Sequence, residues 1–227
     1  MERVHKILSN RGFCSRRKAE SLIEQGRVRL NGEKITIGDK AEFDDKITVD
    51  DKLIKKAEPC YIIFNKPVKC VTAVKDKHYK TVMDFINVKE RVYPVGRLDY
   101  NTSGLLILTN DGDLANKIMH PSHGSVKVYE VGLQQKLTKE HAEKIRKGIK
   151  LDDGIAKAEV KARGNTAEVK IHIGRNRVVR RLFKTLGYNI GYLHRKSIGN
   201  LTLGSLKEGQ YKIVPKRVVE KALMKVN

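Results

Sequence analysis

An arginine and an aspartate two residues apart, Arg97 and Asp99, form the polar centre of the stretch 94–113. Apolar residues flank them, and the run 105–108 is bounded by glycine and by Asn-Asp-Gly, as is typical of a buried strand. A polar loop between rigid strands is a common place for catalytic groups. On spacing alone the plainer interpretation is favoured, in which Asp99 is a turn residue that makes Asx-type hydrogen bonds to Thr102 or Ser103.

A second stretch, 174–187, carries basic residues beside an apolar helical face. Four cations fall at positions i, i+3, i+4 and i+7 and should form one stripe: Arg177, Arg180, Arg181 and Lys184. A charged stripe is usually a solvated face. Because these cations have no acidic partner nearby in sequence, they repel one another, and the pattern favours a phosphate or carboxylate partner.

Strands must position both stretches. The apolar run 61–64 predicts a strand that leads into Asn-Lys-Pro at 65–67, and 127–131 alternates as a strand does. By pattern alone Tyr129, within that second strand, is either a core or a surface residue. Residues 156–162 and 167–173 alternate about a Gly-Asn turn and predict a hairpin with one buried face.

The N-terminal residues predict a smaller module. Residues 3–11 have helical spacing, and Ser15 is the expected N-cap of a second helix through Gln25. Basic residues occupy the first turn of that helix, where they oppose its dipole unless a phosphate faces them. Asn-Gly at 31–32 separates two short runs, which is a strong hairpin signal.

These patterns divide the chain into a small module over 1–50, a linker over 51–58 and a larger domain over 59–227. The expected class is α+β: a small αββ module, then a larger domain with a mixed, mainly antiparallel sheet flanked by helices. Residues 161–227 hold 16 basic against 3 acidic side chains. The larger domain should therefore share in polyanion binding.

Composition limits the partners. The 227 residues include 47 Lys and Arg against 26 Asp and Glu, a net charge of +21. Such a chain binds a polyanion, either nucleic acid or an anionic membrane surface. The absence of an apolar run near the ~20 residues of a membrane span, and of a signal-peptide core, favours a cytoplasmic nucleic-acid partner.

No motif indicates a metal or cofactor. The three cysteines are odd in number and form no Cys-x-x-Cys pair, so they are expected to be reduced thiols. His120 and His123 lack a carboxylate or thiolate partner at ligand spacing. A Walker loop and a Gly-x-Gly-x-x-Gly loop are both missing. We expect no metal, no small-molecule cofactor and a monomer.

Three segments together resemble the signature of RNA pseudouridine synthases of the RsuA/RluB type: Gly-Arg-Leu-Asp at 96–99, Thr-Ser-Gly-Leu-Leu at 102–106 and Leu-Thr-Asn-Asp-Gly at 108–112. The resemblance implies that Asp99 is the catalytic carboxylate. Lys-x-Tyr-x-Val is similar to the second motif, whose tyrosine lies against the target base and matches Tyr129. Gly-Arg-Asn-Arg and Arg-Arg resemble the third, whose aspartate-pairing arginine matches Arg180 best and Arg175 second.

The first fifty residues resemble the S4 RNA-binding domain, a small module named after a ribosomal protein. Two segments carry this similarity, 14–20 and 26–32. Two positions of the catalytic domain depart from the family: Lys69 stands where glycine is usual, and Val178 where glutamine is. RNA contacts are expected from these residues: Arg16, Arg17, Lys18, Arg27, Arg29, Lys66, Arg97, Arg175, Arg177, Arg181 and Lys184.

The resemblance implies isomerisation of uridine to pseudouridine in ribosomal RNA, without a cofactor, on RNA or a pre-ribosomal particle. Overall likeness favours 23S ribosomal RNA and the RluB type, and the alternative is a 16S enzyme of the RsuA type. Charge and the small module alone would also permit a non-catalytic RNA-binding ribosome-assembly protein. A methyltransferase should bring a glycine-rich cofactor loop, which the sequence lacks.

Overall fold

The computed structural model describes residues 1–42, 44–120 and 125–224. These residues form two compact units. The smaller unit comprises Met1–Cys60, Val88–Val92 and Asn110–Gly112, and the larger contains the other described residues. Within the described ranges, no helix is long and apolar enough to cross a membrane.

The smaller unit contains two helices and six short strands. The elements in chain order are β1 (Glu2–Arg3), α1 (Val4–Asn10), α2 (Arg16–Glu24), β2 (Val28–Leu30), β3 (Glu33–Lys34), β4 (Lys40–Ala41), β5 (Ile47–Val49) and β6 (Lys52–Leu53). The strands β3-β2-β5-β6 form one sheet, and β1 pairs with β4. Apolar residues of both helices and of the sheet make one core.

Local signals account for this unit. Ser15 caps α2 by accepting a hydrogen bond from the Lys18 amide at 3.2 Å. Asn31 and Gly32 have φ of 51° and 93° and connect the predicted hairpin, which is confirmed. The range interpreted as a linker, 51–58, contains β6, which pairs with β5 and extends the sheet into that range.

The larger unit is built on eleven strands. They are β7 (Tyr61–Lys66), β8 (Tyr93–Val95), β9 (Ser103–Thr109), β10 (Lys127–Leu133), β11 (Ile149–Leu151), β12 (Gly154–Ala156), β13 (Glu159–Arg163), β14 (Thr166–Ile171), β15 (Ile190–Ile198), β16 (Leu201–Thr202) and β17 (Tyr211–Ile213). The main sheet has the order β13-β14-β10-β15-β9-β7-β17, with β16 on β15 and β8 on β9. Its β15–β9 pair is parallel and its other pairs are antiparallel.

Helices flank this sheet: α3 (Gly112–Met119), α4 (Lys139–Lys147), α5 (Val178–Thr185) and α6 (Lys216–Val219), with 3-10 turns at Val82–Phe85 and Glu220–Leu223. One core packs α4 and α5 on the β10–β14–β15 region, and a second packs α3 and α6 on the β7–β9 region. The expected α+β class, with a mixed and mainly antiparallel sheet, is confirmed.

Candidate active site

The larger unit contains a cavity of about 410 Å³. The loop between β8 and β9, the strands β10 and β15, and the N-terminal end of α5 supply its wall. The charged and aromatic side chains of the wall are Arg97, Asp99, Lys127, Tyr129, Arg175, Arg177, Arg180 and Arg195. The structure therefore brings the three predicted catalytic residues, Asp99, Tyr129 and Arg180, to one cavity.

The Asp99 carboxylate faces two guanidinium groups and is 29% exposed. Its Oδ2 lies 3.6 Å from Nη1 of Arg177 and 3.8 Å from Nε of Arg180. Both distances exceed hydrogen-bond length, so the carboxylate is electrostatically paired while its oxygens stay free to act on a ligand. The turn alternative, an Asx-type hydrogen bond from Thr102 or Ser103 to the Asp99 side chain, is not formed among the described residues.

Arg180 also fixes the loop that carries Asp99. Its Nη2 donates to the carbonyl oxygen of Asn101 at 2.7 Å and to Oγ1 of Thr102 at 3.3 Å. Its buried Nε has no hydrogen-bond partner within the described chain. Burial, and then the neighbouring Arg177, lower the pKa of this guanidinium, and Asp99 opposes that change. Arg180 is thus a cation held in place beside the carboxylate.

Two other arginines of this stretch face a second carboxylate, that of Asp153. Arg181 makes two hydrogen bonds to Asp153, at 2.9 and 2.7 Å, and Nη1 of Arg175 lies 3.6 Å from the same carboxylate. The stripe predicted a phosphate or carboxylate partner, and for Arg181 this partner is the carboxylate of Asp153. Arg177 precedes α5 with φ of 48°, and this left-handed turn places it at Asp99. Arg175, the second choice for the Asp99 partner, faces Asp153 instead.

Lys66 is the clearest departure from expectation. Its side chain is fully buried, and Nζ donates to three carbonyl oxygens, those of Pro67, Asp99 and Thr102, at 2.9, 3.2 and 3.0 Å. Burial lowers the pKa of this amine. The prediction that Lys66 contacts RNA is wrong, because the ammonium lies beneath the Asp99 loop and holds its backbone.

The variant Lys66→Met tests this role. Losing one donor to three buried carbonyl groups is expected to reduce the free energy of unfolding by about 3 kcal/mol, with little change in RNA affinity. Urea denaturation and filter binding measure the two quantities. Lys212→Met, which removes an exposed lysine from the strand beside β7, is the matched control. A variant of normal stability with weakened RNA binding would restore Lys66 as an RNA contact.

The unusual Lys69 adopts the backbone conformation of a glycine. Its φ is 61°, a value that L-residues with a Cβ reach only with strain. Its amide donates to the carbonyl oxygen of Tyr100 at 2.8 Å, next to Asp99. This positive φ explains why glycine suits the position.

The other predicted RNA contacts fall into two groups. Arg16, Arg17 and Lys18 are exposed on α2, Arg97 is exposed on the cavity wall and Lys184 is exposed on α5. Arg27 instead makes a side-chain hydrogen bond to Asp50 at 2.8 Å, and Nε of Arg29 lies 3.5 Å from Asp51. The hairpin arginines are thus partly neutralised within the smaller unit.

Sequence reasoning missed two cations on the wall, Lys127 and Arg195. Lys127 stands two residues before Tyr129 on the same strand, and residues at this spacing lie on one face. The sequence could therefore have placed Lys127 beside Tyr129. No sequence pattern indicated Arg195, because only the pairing of β10 with β15 places it at the cavity. His123, of the rejected histidine pair, lies outside the described residues.

Comparison with known proteins agrees with this geometry. The sequence model of the RNA pseudouridylate synthase family matches residues 60–185, and that of the S4 domain matches residues 2–47. The chain is 40% identical over 220 residues to the ribosomal large subunit pseudouridine synthase B of Bacillus subtilis (strain 168), covering 92% of this chain and 90% of the relative. It is 36% identical over 215 residues to the dual-specificity RNA pseudouridine synthase RluF of Escherichia coli (strain K12), covering 92% and 74%.

A solved structure is also similar over its whole length. A crystal structure of a pseudouridylate synthase aligns with a TM-score of 0.71 and 29% identity, covering 98% of this chain and 100% of the other. The site and these matches define an RNA-modifying enzyme with an S4 domain. The chain belongs to the RNA pseudouridine synthase family, as its motifs predicted.

Proposed function

We propose that this enzyme converts a uridine of large-subunit ribosomal RNA to pseudouridine. The observation that carries the proposal is the Asp99 carboxylate, which faces a cavity and is held between Arg177 and Arg180. The Bacillus subtilis relative, which is named for the large ribosomal subunit, supports the choice of RNA. Action on ribosomal RNA places the enzyme in the cytoplasm, and it acts as a monomer without a cofactor.

Asp99 acts at the bond between ribose C1′ and uracil N1. It either attacks C1′ as a nucleophile or takes a proton as a base, and both roles require the ionised carboxylate. The guanidinium groups of Arg177 and Arg180 face this carboxylate at 3.6 and 3.8 Å. The uracil then turns and rejoins C1′ through C5, which releases Asp99 from C1′ or returns to the sugar the proton that Asp99 took. C5 gives up its proton and N1 takes one up. No atom is gained, so the reaction is an isomerisation.

The target nucleotide must leave its helix to enter the cavity. Extruding a base costs a few kcal/mol, and packing of uracil against the ring of Tyr129 recovers part of this free energy. Arg97, exposed where the wall meets solvent, holds the displaced strand or fills the space that the base leaves. Charged groups on both units bind the RNA backbone.

The exposed cations of α2 provide a test of the RNA footprint. The double variant Arg16→Ala with Arg17→Ala is expected to weaken RNA binding and to reduce the slope of log affinity against log salt by about 1 to 2. Filter binding between low and moderate salt measures the slope. Lys52→Ala with Lys55→Ala removes equal charge from exposed positions of the same unit and is the control. An unchanged slope would exclude α2 from the footprint.

The reaction itself is tested by mapping pseudouridine. Unmodified large- and small-subunit RNA, free and in ribosomal particles, is incubated with the enzyme, and carbodiimide labelling with reverse transcription locates product. A single new stop in large-subunit RNA is the expected result. A stop only in small-subunit RNA would overturn the choice of substrate. Tight binding without product on either RNA would instead support the assembly-protein alternative.

A further inference from the structure

Two cations on the cavity wall have no part in the roles proposed so far. Lys127 lies on β10 and Arg195 on the neighbouring β15. Arg195 is only 5% exposed, yet it belongs to the wall of the cavity. A buried arginine in such a place is unusual, since charged side chains are rarely buried without a partner.

The guanidinium of Arg195 is anchored at one atom and unpartnered at another. Its Nε donates to the carbonyl oxygen of Leu105 on β9 at 2.7 Å, which fixes the plane of the group. Its Nη2 is buried and finds no hydrogen-bond partner among residues 1–42, 44–120 and 125–224. A buried donor left without an acceptor is unfavourable, so the arrangement indicates an acceptor that a ligand supplies.

No carboxylate neutralises this pair within the described chain. The carboxylate of the cavity, Asp99, faces Arg177 and Arg180 instead. The Lys127 ammonium group makes no ion pair or hydrogen bond there, and its pKa is lowered by burial first and by the charge of Arg195 second. Two unpaired cations that repel each other in a half-buried wall favour the binding of a negatively charged group.

Strand register places both cations beside Tyr129. Arg195 is the direct cross-strand partner of Tyr129 in the β10–β15 pair. Side chains at such positions have Cβ atoms about 4.5–5.5 Å apart. Lys127 precedes Tyr129 by two residues, so it lies on the same face of the strand. A base packed on the Tyr129 ring would therefore present its edge to these cations.

We propose that Arg195, assisted by Lys127, binds a carbonyl oxygen of the target uracil and stabilises the negative charge that this ring acquires. The proposal rests on the proposed function. When the C1′–N1 bond breaks, its electron pair stays on the uracil and is shared by N1, O2 and O4. This distribution of negative charge arises whether Asp99 acts as a nucleophile or as a base. Preorganised donors aimed at a developing oxyanion accelerate such steps strongly.

Single-turnover kinetics test the assignment. With enzyme in excess over an RNA that the wild type modifies, Lys127→Met and Arg195→Gln are expected to slow conversion on the order of 100-fold each. Their RNA affinities should stay within about twofold, since neither side chain is placed at the RNA backbone. Lys196→Met is the matched control, because the adjacent Lys196 pairs with Glu168 and lies outside the cavity wall.

A second substrate separates charge stabilisation from structural damage. Fluorine at C5 makes the uracil ring more acidic, so the detached ring needs less help from the protein. The rate deficit of both variants, measured as loss of the starting nucleoside, should therefore shrink when the target is 5-fluorouridine. Lys127→Met keeps this test valid if Arg195→Gln fails to fold.

The outcomes are distinct. Equal deficits on both substrates, or unchanged rates in Lys127→Met, overturn the proposal. Loss of RNA affinity with a reduced salt slope also overturns it, because the cations would then bind phosphate. Failure of the wild type to form any pseudouridine overturns the proposed function itself, which is a different result from an active wild type with active variants.

Discussion

Replacing Asp99 with asparagine is expected to abolish pseudouridine formation, with a rate decrease of at least about 10³-fold. Asparagine has nearly the same shape as aspartate but neither accepts a proton nor attacks C1′ at neutral pH. The carboxylate makes no hydrogen bond within the described chain, so its loss should not disturb the loop, which Lys66 and Arg180 hold through its backbone. The measurement is the single-turnover rate on the RNA identified by mapping.

RNA affinity of Asp99→Asn should be unchanged or slightly higher, since a negative charge near phosphates is removed. Asp152→Asn is the matched control, because Asp152 is exposed and lies outside the cavity wall. Its rate should equal that of the wild type. Conversion by Asp99→Asn at a wild-type rate would contradict the assignment of Asp99 and, with it, the proposed mechanism.

The largest effect on stability is expected from Gly104→Ala. Gly104 is the second residue of β9, beside β15, and its φ is 110°. A Cβ there would lie 2.3 Å from the carbonyl oxygen and 2.5 Å from the amide nitrogen of Arg195. Both atoms are backbone, so neither moves without separating the two parallel strands. We expect a loss of at least about 4 kcal/mol in the free energy of unfolding, measured by urea denaturation.

Gly204→Ala separates the steric effect from backbone strain. Gly204 also has a positive φ, 59°, but a Cβ there meets no atom within 4 Å. This control should lose only about 1 kcal/mol. A similar loss in the two variants would show that the contact between β9 and Arg195 is looser than the structure has it.

The Gly104 contact also connects the two halves of the proposed chemistry. Gly104 follows the Asp99 loop by a few residues and lies against the backbone of Arg195, whose side chain bonds Leu105 on the same strand. One pair of strands, β9 and β15, therefore positions both the loop proposed to act on the sugar and the cation proposed to act on the base. A shift between these strands should impair both functions together.

The sequence by itself determined much of this enzyme. Strand alternation, the Asn31–Gly32 turn and the Ser15 cap located elements correctly because each signal depends on residues only a few positions apart. The motif around Asp99 determined the family, since it is long and its order along the chain is specific. The basic composition determined that the partner is a polyanion.

Only the tertiary structure decided which charges meet. Arg181 binds Asp153, twenty-eight positions away, Lys66 is buried beneath a loop thirty-three positions later, and Arg195 reaches the cavity through strand register alone. Coulomb and hydrogen-bond energies depend on distances in space, and these follow from strand order and register. The sequence therefore established the elements and the catalytic motif, whereas folding decided which cations pair with carboxylates and which donor, Nη2 of Arg195, has no partner within the described chain.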